Sequence, residues 1–165
     1  MAPQNDAAFA RILVVGATGH LGGKVTRMAR QSGFRVRALV RASSDASALA
    51  ASGVDVMRGD MLDRPSLDRA MQGCAAVVST AIGYAGRKPG DLRGEADTLG
   101  NRHLADAALA AGVRRLVFCS VLTCDGAKDV PHFWNKKLAE DYFEERRLPF
   151  VALRPGAFLD QGPND

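Results

Sequence analysis

Ile12-Leu13-Val14-Val15-Gly16-Ala17-Thr18-Gly19-His20-Leu21-Gly22-Gly23 decides how the rest of the chain is read. The apolar run within Arg11–Gly16 predicts a short buried strand. Leu21, Val25, Met28 and Ala29 then recur at helical spacing over His20–Ser32. Gly16, Gly19 and Gly22 stand three apart at the junction. Gly16 permits a tight turn, Gly19 lets a ligand approach the backbone, and Gly22 lets the helix pack closely on the sheet. The first amides of a helix lack intrahelical acceptors, so a strand, a glycine turn and a helix start together make a seat for phosphate oxygens. Thr18 adds a hydroxyl. The spacing Gly-x-x-Gly-x-x-Gly departs from the commoner Gly-x-Gly-x-x-Gly, but its strand–turn–helix setting still predicts a dinucleotide's pyrophosphate as the ligand.

Outward from that turn, strands and helices alternate. Further strands are predicted at Arg35–Val40, Val54–Arg58, Ala75–Thr80, Arg114–Cys119 and Phe150–Arg154. Helices are predicted at Asp45–Ala51, at Pro65–Met71 with Asp63 as its cap, at Asp97–Ala111, and from Asp129 to about Arg147. Gly33 is placed to end the first helix. Tyr84 to Glu95 and Leu122–Val130 read as loops. The pattern predicts an α/β fold: a doubly wound, Rossmann-like parallel sheet of about six strands in the order 3-2-1-4-5-6, with helices on both faces. Such sheets bind ligands beyond the strands' carboxyl ends, where the order reverses between strands 1 and 4. Gly16, Thr80 and Ala81 fall there, and Ser120 one strand further out.

The bulk properties narrow the partners. A length of 165 residues predicts a single domain. The net charge of +4, from 22 basic and 18 acidic residues, is scattered along the chain. It points away from nucleic acid and is compatible with a small anionic ligand. Cys74, Cys119 and Cys124 have neither disulfide-ladder nor metal-ligand spacing, so no metal is expected and free thiols in a reducing compartment are. Residues 1–10 lack the basic start and apolar core of a signal peptide, and no segment has 18 successive apolar residues. A cytoplasmic chain without a membrane partner is the expectation.

The end of the second strand selects among dinucleotides. An acidic residue there accepts from the ribose 2′-hydroxyl of NAD. This strand ends in Val40-Arg41. A guanidinium suits a 2′-phosphate, so Arg41 predicts NADP(H), with NAD as the alternative. Ser43 or Ser44 adds a hydrogen bond, and Arg37 is a second candidate. Asp60, after the third strand, is placed either to accept from the adenine amine or to cap a loop.

These motifs, with Leu39-Val40-Arg41, Gly59-Asp60, Gly100-Asn101, Ala107-Ala108, Ala111-Gly112-Val113 and Leu153-Arg154-Pro155-Gly156-Ala157-Phe158, resemble the atypical short-chain dehydrogenase/reductases. The NmrA-like, NAD(P)H-binding subgroup is the nearest match, and the resemblance spans roughly residues 11 to 160. It implies that Gly16, Thr18, Gly19, His20, Leu21 and Gly22 line the pyrophosphate. It implies Arg41 on the 2′-phosphate, Asp60 and Met61 beside the adenine, and Thr80, Ala81, Ile82 and Gly83 along the inner ribose and nicotinamide. Reductases of this superfamily often use Ser, Tyr and Lys, the last two as Tyr-x-x-x-Lys. Ser120 matches the serine and Lys136 the lysine, while His132 takes the tyrosine's place. Lys136 is then expected to grip the ribose, and His132 to exchange a proton, as imidazoles do near neutral pH. Tyr84 is a further candidate for the pocket.

The resemblance implies an NADP(H)-dependent oxidoreductase acting on an unidentified small molecule. Its alternatives are a non-catalytic redox sensor reporting to a protein partner, and a nucleotide-sugar epimerase or dehydratase, which the missing Tyr-x-x-x-Lys weakens. Members of the superfamily continue past the Arg154-Pro155-Gly156 turn into a substrate-covering region, whereas this chain stops about ten residues later. A cofactor-binding domain lacking most of that region is expected.

Overall fold

The computed structural model describes residues 10–83 and 95–158. Tyr84, and most of the predicted loop that begins with it, lies outside them. The elements are β1 (Arg11–Val15), α1 (His20–Gln31), β2 (Arg35–Val40), α2 (Ser47–Ala51), β3 (Asp55–Arg58), α3 (Arg64–Met71), β4 (Ala76–Ser79), α4 (Asn101–Ala110), β5 (Arg115–Cys119), α5 (Pro131–Glu145) and β6 (Phe150–Leu153). A π-helical turn, Ala96–Gly100, leads into α4, and a single 3-10 turn, Cys124–Gly126, precedes α5.

The strands form one sheet in the order β3-β2-β1-β4-β5-β6, every pair parallel, as the alternation predicts. Side chains alternate across it and build two cores. Leu13, Val15, Val77, Leu116 and Phe118 face α3, α4 and α5, where Leu67, Leu104 and Phe143 are wholly buried. Ile12, Val14, Val36, Ala38 and Val40 face α1 and α2, with Val25, Ala29 and Leu49 against them. Phe143 meets Phe118 and Phe150 edge-on, at centroid distances of 5.1 and 5.3 Å.

The helix ends explain the short loops. After α1, Gly33 takes φ +86°, its amide donates to Arg30 O, and Phe34 N reaches back to Ala29 O. This closes the helix and turns the chain directly into β2. At the end of α5 Arg147 fills the same role at φ +53°, with Leu148 N donating to Phe143 O.

Several expected boundaries are corrected. The second helix starts at Ser47 rather than Asp45, because the Asp45 carboxylate accepts from Ser47 N (2.9 Å) and Ser47 Oγ (3.0 Å) and bends the chain into a turn. Those bonds hold the Asp45 carboxyl below its ordinary range. Asp63 stands at the cap position of α3, but its side chain makes no cap. Ser66 organises that corner: its hydroxyl accepts from Asp60 N (3.0 Å) and lies within bonding distance of Asp60 O (2.9 Å) and Asp63 O (2.7 Å). The helix expected from Asp97 begins as the π turn, where Asn101 Nδ2 donates to Asp97 O at 3.0 Å. That side chain supplies the carbonyl with a donor where the main-chain ladder changes pitch. The predicted loop Leu122–Val130 holds the 3-10 turn, entered through Thr123 at φ +67°, a strained conformation for a β-branched residue.

Candidate active site at the β1–β4 switch point

The glycine turn has the geometry its spacing predicts. Gly16 sits at φ +88°, and a Cβ there would lie 2.7 Å from Thr80 Oγ1 and 2.9 Å from Ala81 N. A Cβ on Gly22 would lie 2.0 Å from Gly16 O, so helix and turn meet backbone to backbone. Gly19 donates to Gly16 O at 3.0 Å, and a Cβ on it would meet only that oxygen, at 3.3 Å. Thr80 joins β4 to the turn through its amide on Val15 O (2.9 Å) and its hydroxyl on the same oxygen (3.2 Å).

Helix α1 starts at this turn with no side-chain cap on Gly19 and no acidic residue in its first turn. Its positive end is left for an external anion. It meets a cleft of about 440 Å³. Ten of the residues expected at a cofactor line that cleft: Gly16, Thr18, Gly19, Arg41, Asp60, Met61, Thr80, Ala81, Ile82 and Gly83. His20 and Leu21 open α1 beside it, and Gly22 is buried beneath the turn.

The cleft's far end is set by β2 and β3. Arg41 is exposed at the rim. Asp60 Oδ1 accepts from Leu62 N at 2.9 Å, so its carboxylate shapes the loop that it lines. Met61 O is 3.1 Å from His103 Nδ1, which therefore carries the proton. Arg37, the second candidate for the 2′-phosphate, is elsewhere. It is buried, bonding Asp55 (2.8 Å) and the carbonyls of Ala70 and Gln72 (both 3.0 Å) at the C-terminus of α3.

The floor of the cleft, Ala81–Gly83, rests on a buried ion pair. Lys136 Nζ lies 3.0 Å from Asp97 Oδ1 and donates to Ala81 O at 3.1 Å; Asp97 Oδ2 accepts from Gly83 N at 2.8 Å. Lys136 is 3 % exposed and Asp97 2 %. The ammonium also stands 5.0 Å over the Phe118 ring. One carboxylate and one ammonium thus hold both ends of the segment.

The other expected catalytic residues have separate surroundings. Ser120 is buried, with Oγ 3.9 Å from Cys124 Sγ and its amide on Leu153 O at 2.8 Å. His132 is half-buried in the first turn of α5, its ring edge-on to Phe133. Neither lines the cleft, and nor does Lys136, which is buried beneath its floor. Behind Ser120, Arg154 pairs with Glu140 and Asp125, tying β6 to α5 and the 3-10 turn. Those carboxylates push the Arg154 guanidinium above its ordinary range. Burial pushes the Cys119 and Cys124 thiols up as well, which keeps them protonated and poorly nucleophilic at neutral pH.

The profile of the NmrA-like family matches residues 9–161. The chain belongs to the NmrA-like family. Photosystem II assembly factor Ycf39 of Cyanophora paradoxa is 32% identical over 150 residues, covering 90% of this chain and 46% of that protein. Among solved structures, the triphenylmethane reductase of Citrobacter sp. complexed with NADP(H) superposes with a TM-score of 0.73 at 26% identity, over 90% of this chain and 50% of that one. An NADPH-dependent quinone oxidoreductase of Escherichia coli gives 0.72 at 26% identity, over 89% and 48%. This NmrA-like chain spans about half the length of these relatives. Family and fold place it in the NAD(P)-binding oxidoreductase superfamily. Among the described residues, no helix is long and apolar enough to cross a membrane.

Two site residues escape a reading of the sequence alone. Asp97 falls, with Asn101, on the line that continues through buried Leu104 and Ala108, and two polar residues on an apolar stripe were the available signal. Arg58 carries no such mark; its partners are main-chain carbonyls.

Proposed function

We propose that the chain is the cofactor-binding domain of an oxidoreductase that uses NADP(H) on a small molecule. The observation that carries this reading is the uncapped start of α1, opening with Gly16 and Gly19 onto the 440 Å³ cleft. The residues present fit the group: Cβ atoms are absent where the pyrophosphate needs the backbone, and no carboxylate occupies the helix's first turn. Gly16 to Gly22 hold the pyrophosphate, Arg41 the 2′-phosphate, Asp60 and Met61 flank the adenine, and Thr80–Gly83 support the nicotinamide end. Bound there, the nicotinamide supplies two-electron redox chemistry. Lys136, through Ala81 O, fixes the floor and offers its remaining donor capacity to the ribose. His132 lies four residues before Lys136 on α5, hence on the same helix face, and serves as the proton carrier, with Ser120 orienting the substrate. The relatives whose names describe reductases support this reading.

Arg41→Ala is expected to weaken NADPH binding by about ten- to a hundredfold and NADH by less than about twofold, since a hydrogen bond to a charged group contributes about 1.5–3 kcal/mol. Parallel fluorescence titrations check this, and equal losses would remove Arg41 from the 2′-phosphate site. Turnover is tested by following NADPH oxidation with carbonyl and quinone acceptors. His132→Ala is expected to lower kcat by about 10²-fold or more with the cofactor Kd unchanged; an unchanged rate assigns His132 a structural role.

A second reading, a redox sensor that reports cofactor state to a protein partner, draws support from Ser120 and His132 standing outside the cleft lining. The name of the assembly-factor relative points the same way. Tight NADPH binding with no oxidation by any acceptor selects it. The three free thiols support a reducing, cytoplasmic setting for either activity.

A further inference from the structure

A second guanidinium stands beside Arg41. Arg58 ends β3 opposite Val40, and its Nη1 donates to Arg41 O at 2.8 Å and Ser44 O at 2.7 Å. Ser44 N donates to Arg41 O as well, at 3.0 Å. The β2–α2 turn is therefore closed from within by the main chain and from outside by a side chain. A hollow of about 600 Å³ opens against this turn, lined by Arg41, Ser43, Arg58, Asp60 and Asp63 among others. It shares Arg41, Gly59 and Asp60 with the phosphate cleft, so the two spaces adjoin.

Charge and donor geometry give this arrangement a use. A guanidinium has five N–H donors. Arg58 uses Nη1 on the two carbonyls, and its Nε and Nη2 make no hydrogen bond among the described residues. The lining sets two cations against the carboxylates of Asp60 and Asp63. Asp45, which also feels Arg58, adds a third carboxylate nearby. With Arg58 removed, acidic groups outnumber Arg41 and oppose any anion in the hollow. A phosphate on a nucleotide ribose has several oxygen acceptors and suits two converging guanidinium groups.

We infer that Arg58 is a specificity-determining residue for the 2′-phosphate. It fixes the turn that presents Arg41 and Ser43, and it directs its remaining donors to the phosphate. The inference rests on the NADP(H) reading above and assigns that reading's discrimination to a pair of residues rather than to Arg41 alone.

The test compares 2′,5′-ADP with 5′-AMP, which differ only in the 2′-phosphate, by calorimetric titration of the full chain. The wild type is expected to bind 2′,5′-ADP about tenfold or more tightly than 5′-AMP. Arg58→Met is expected to bring that ratio close to one while 5′-AMP affinity stays within about twofold. Arg58→Lys keeps the charge without the fork, should fall between, and carries the same test if the methionine variant does not fold. Absence of any preference in the wild type overturns the NADP(H) reading itself. A wild-type preference that survives in both variants overturns only the role of Arg58. An equal loss for both nucleotides, with circular dichroism unchanged, also overturns it, because that is the signature of a turn support without phosphate contact.

Discussion

Asp97→Leu is expected to lower the unfolding free energy by about 3–5 kcal/mol, because it strands the Lys136 ammonium in a site 3 % exposed. Domains of this kind are stable by about 5–15 kcal/mol, so one substitution removes a large share of the total. The urea midpoint reads the loss directly, and the melting temperature should fall by about 6–20 °C. The double variant Asp97→Leu/Lys136→Met is expected to recover most of the stability, since an apolar pair of similar volume avoids the desolvation of two charges. Nucleotide binding is expected to stay weak in that double variant. Ala81 O and Gly83 N would both have lost their partners, and the cleft floor its anchorage. A loss under about 1 kcal/mol in the single variant would mean that water or a local shift satisfies Lys136, and the anchoring role would fall.

Gly22→Ala is the second large effect. Its new methyl would lie 2.0 Å from Gly16 O, 2.6 Å from Gly16 C and 2.8 Å from Thr80 Oγ1. Two of those atoms are backbone, so the turn itself must move. Overpacking of this kind costs about 1–3 kcal/mol or more. The displaced groups are the ones proposed to seat the pyrophosphate, so affinity for NADPH and NADH is expected to fall together. Gly23→Ala is the internal control: its Cβ would meet Ala17 O at an ordinary 3.7 Å, inside α1. Exchanging this half-buried helical glycine for alanine, with no close contact at its Cβ, should gain about 0.5–1 kcal/mol with binding intact. Similar behaviour of the two variants in chemical denaturation and titration would contradict the close approach of turn and helix.

The contrast between these glycines shows what a sequence carries and what it withholds. Strand order, both helical faces and the glycine turn are legible because they depend on period and on local conformation. An apolar run such as Ile12–Val15 states its burial directly. The supports of the site depend on long-range meetings. Asp97 finds its partners in α5 and at Gly83, and the π turn shifts its register from the one a regular helix predicts. Arg37 and Arg58 both sit on strands next to carbonyls, and main-chain acceptors have no residue signature. One is consumed in the α3 corner and the other grips the turn beside the cleft. The placement of Asp60 was open in sequence, and the structure gives its Oδ1 to Leu62 N.

The strand order also sets a schedule for the chain as it is made. β1 is synthesised first yet lies inside the sheet, and its second edge is completed only by β4, where Ala76 pairs with Ile12 across 64 residues. At about 5–20 residues per second, that edge waits roughly 3–13 s for its partner. Throughout that interval Leu13, Val14 and Val15 present open hydrogen-bonding groups and bare hydrocarbon to whatever is near. Leu13 and Val14, wholly buried in the folded domain, are thus among the core residues that wait longest for a neighbour during synthesis.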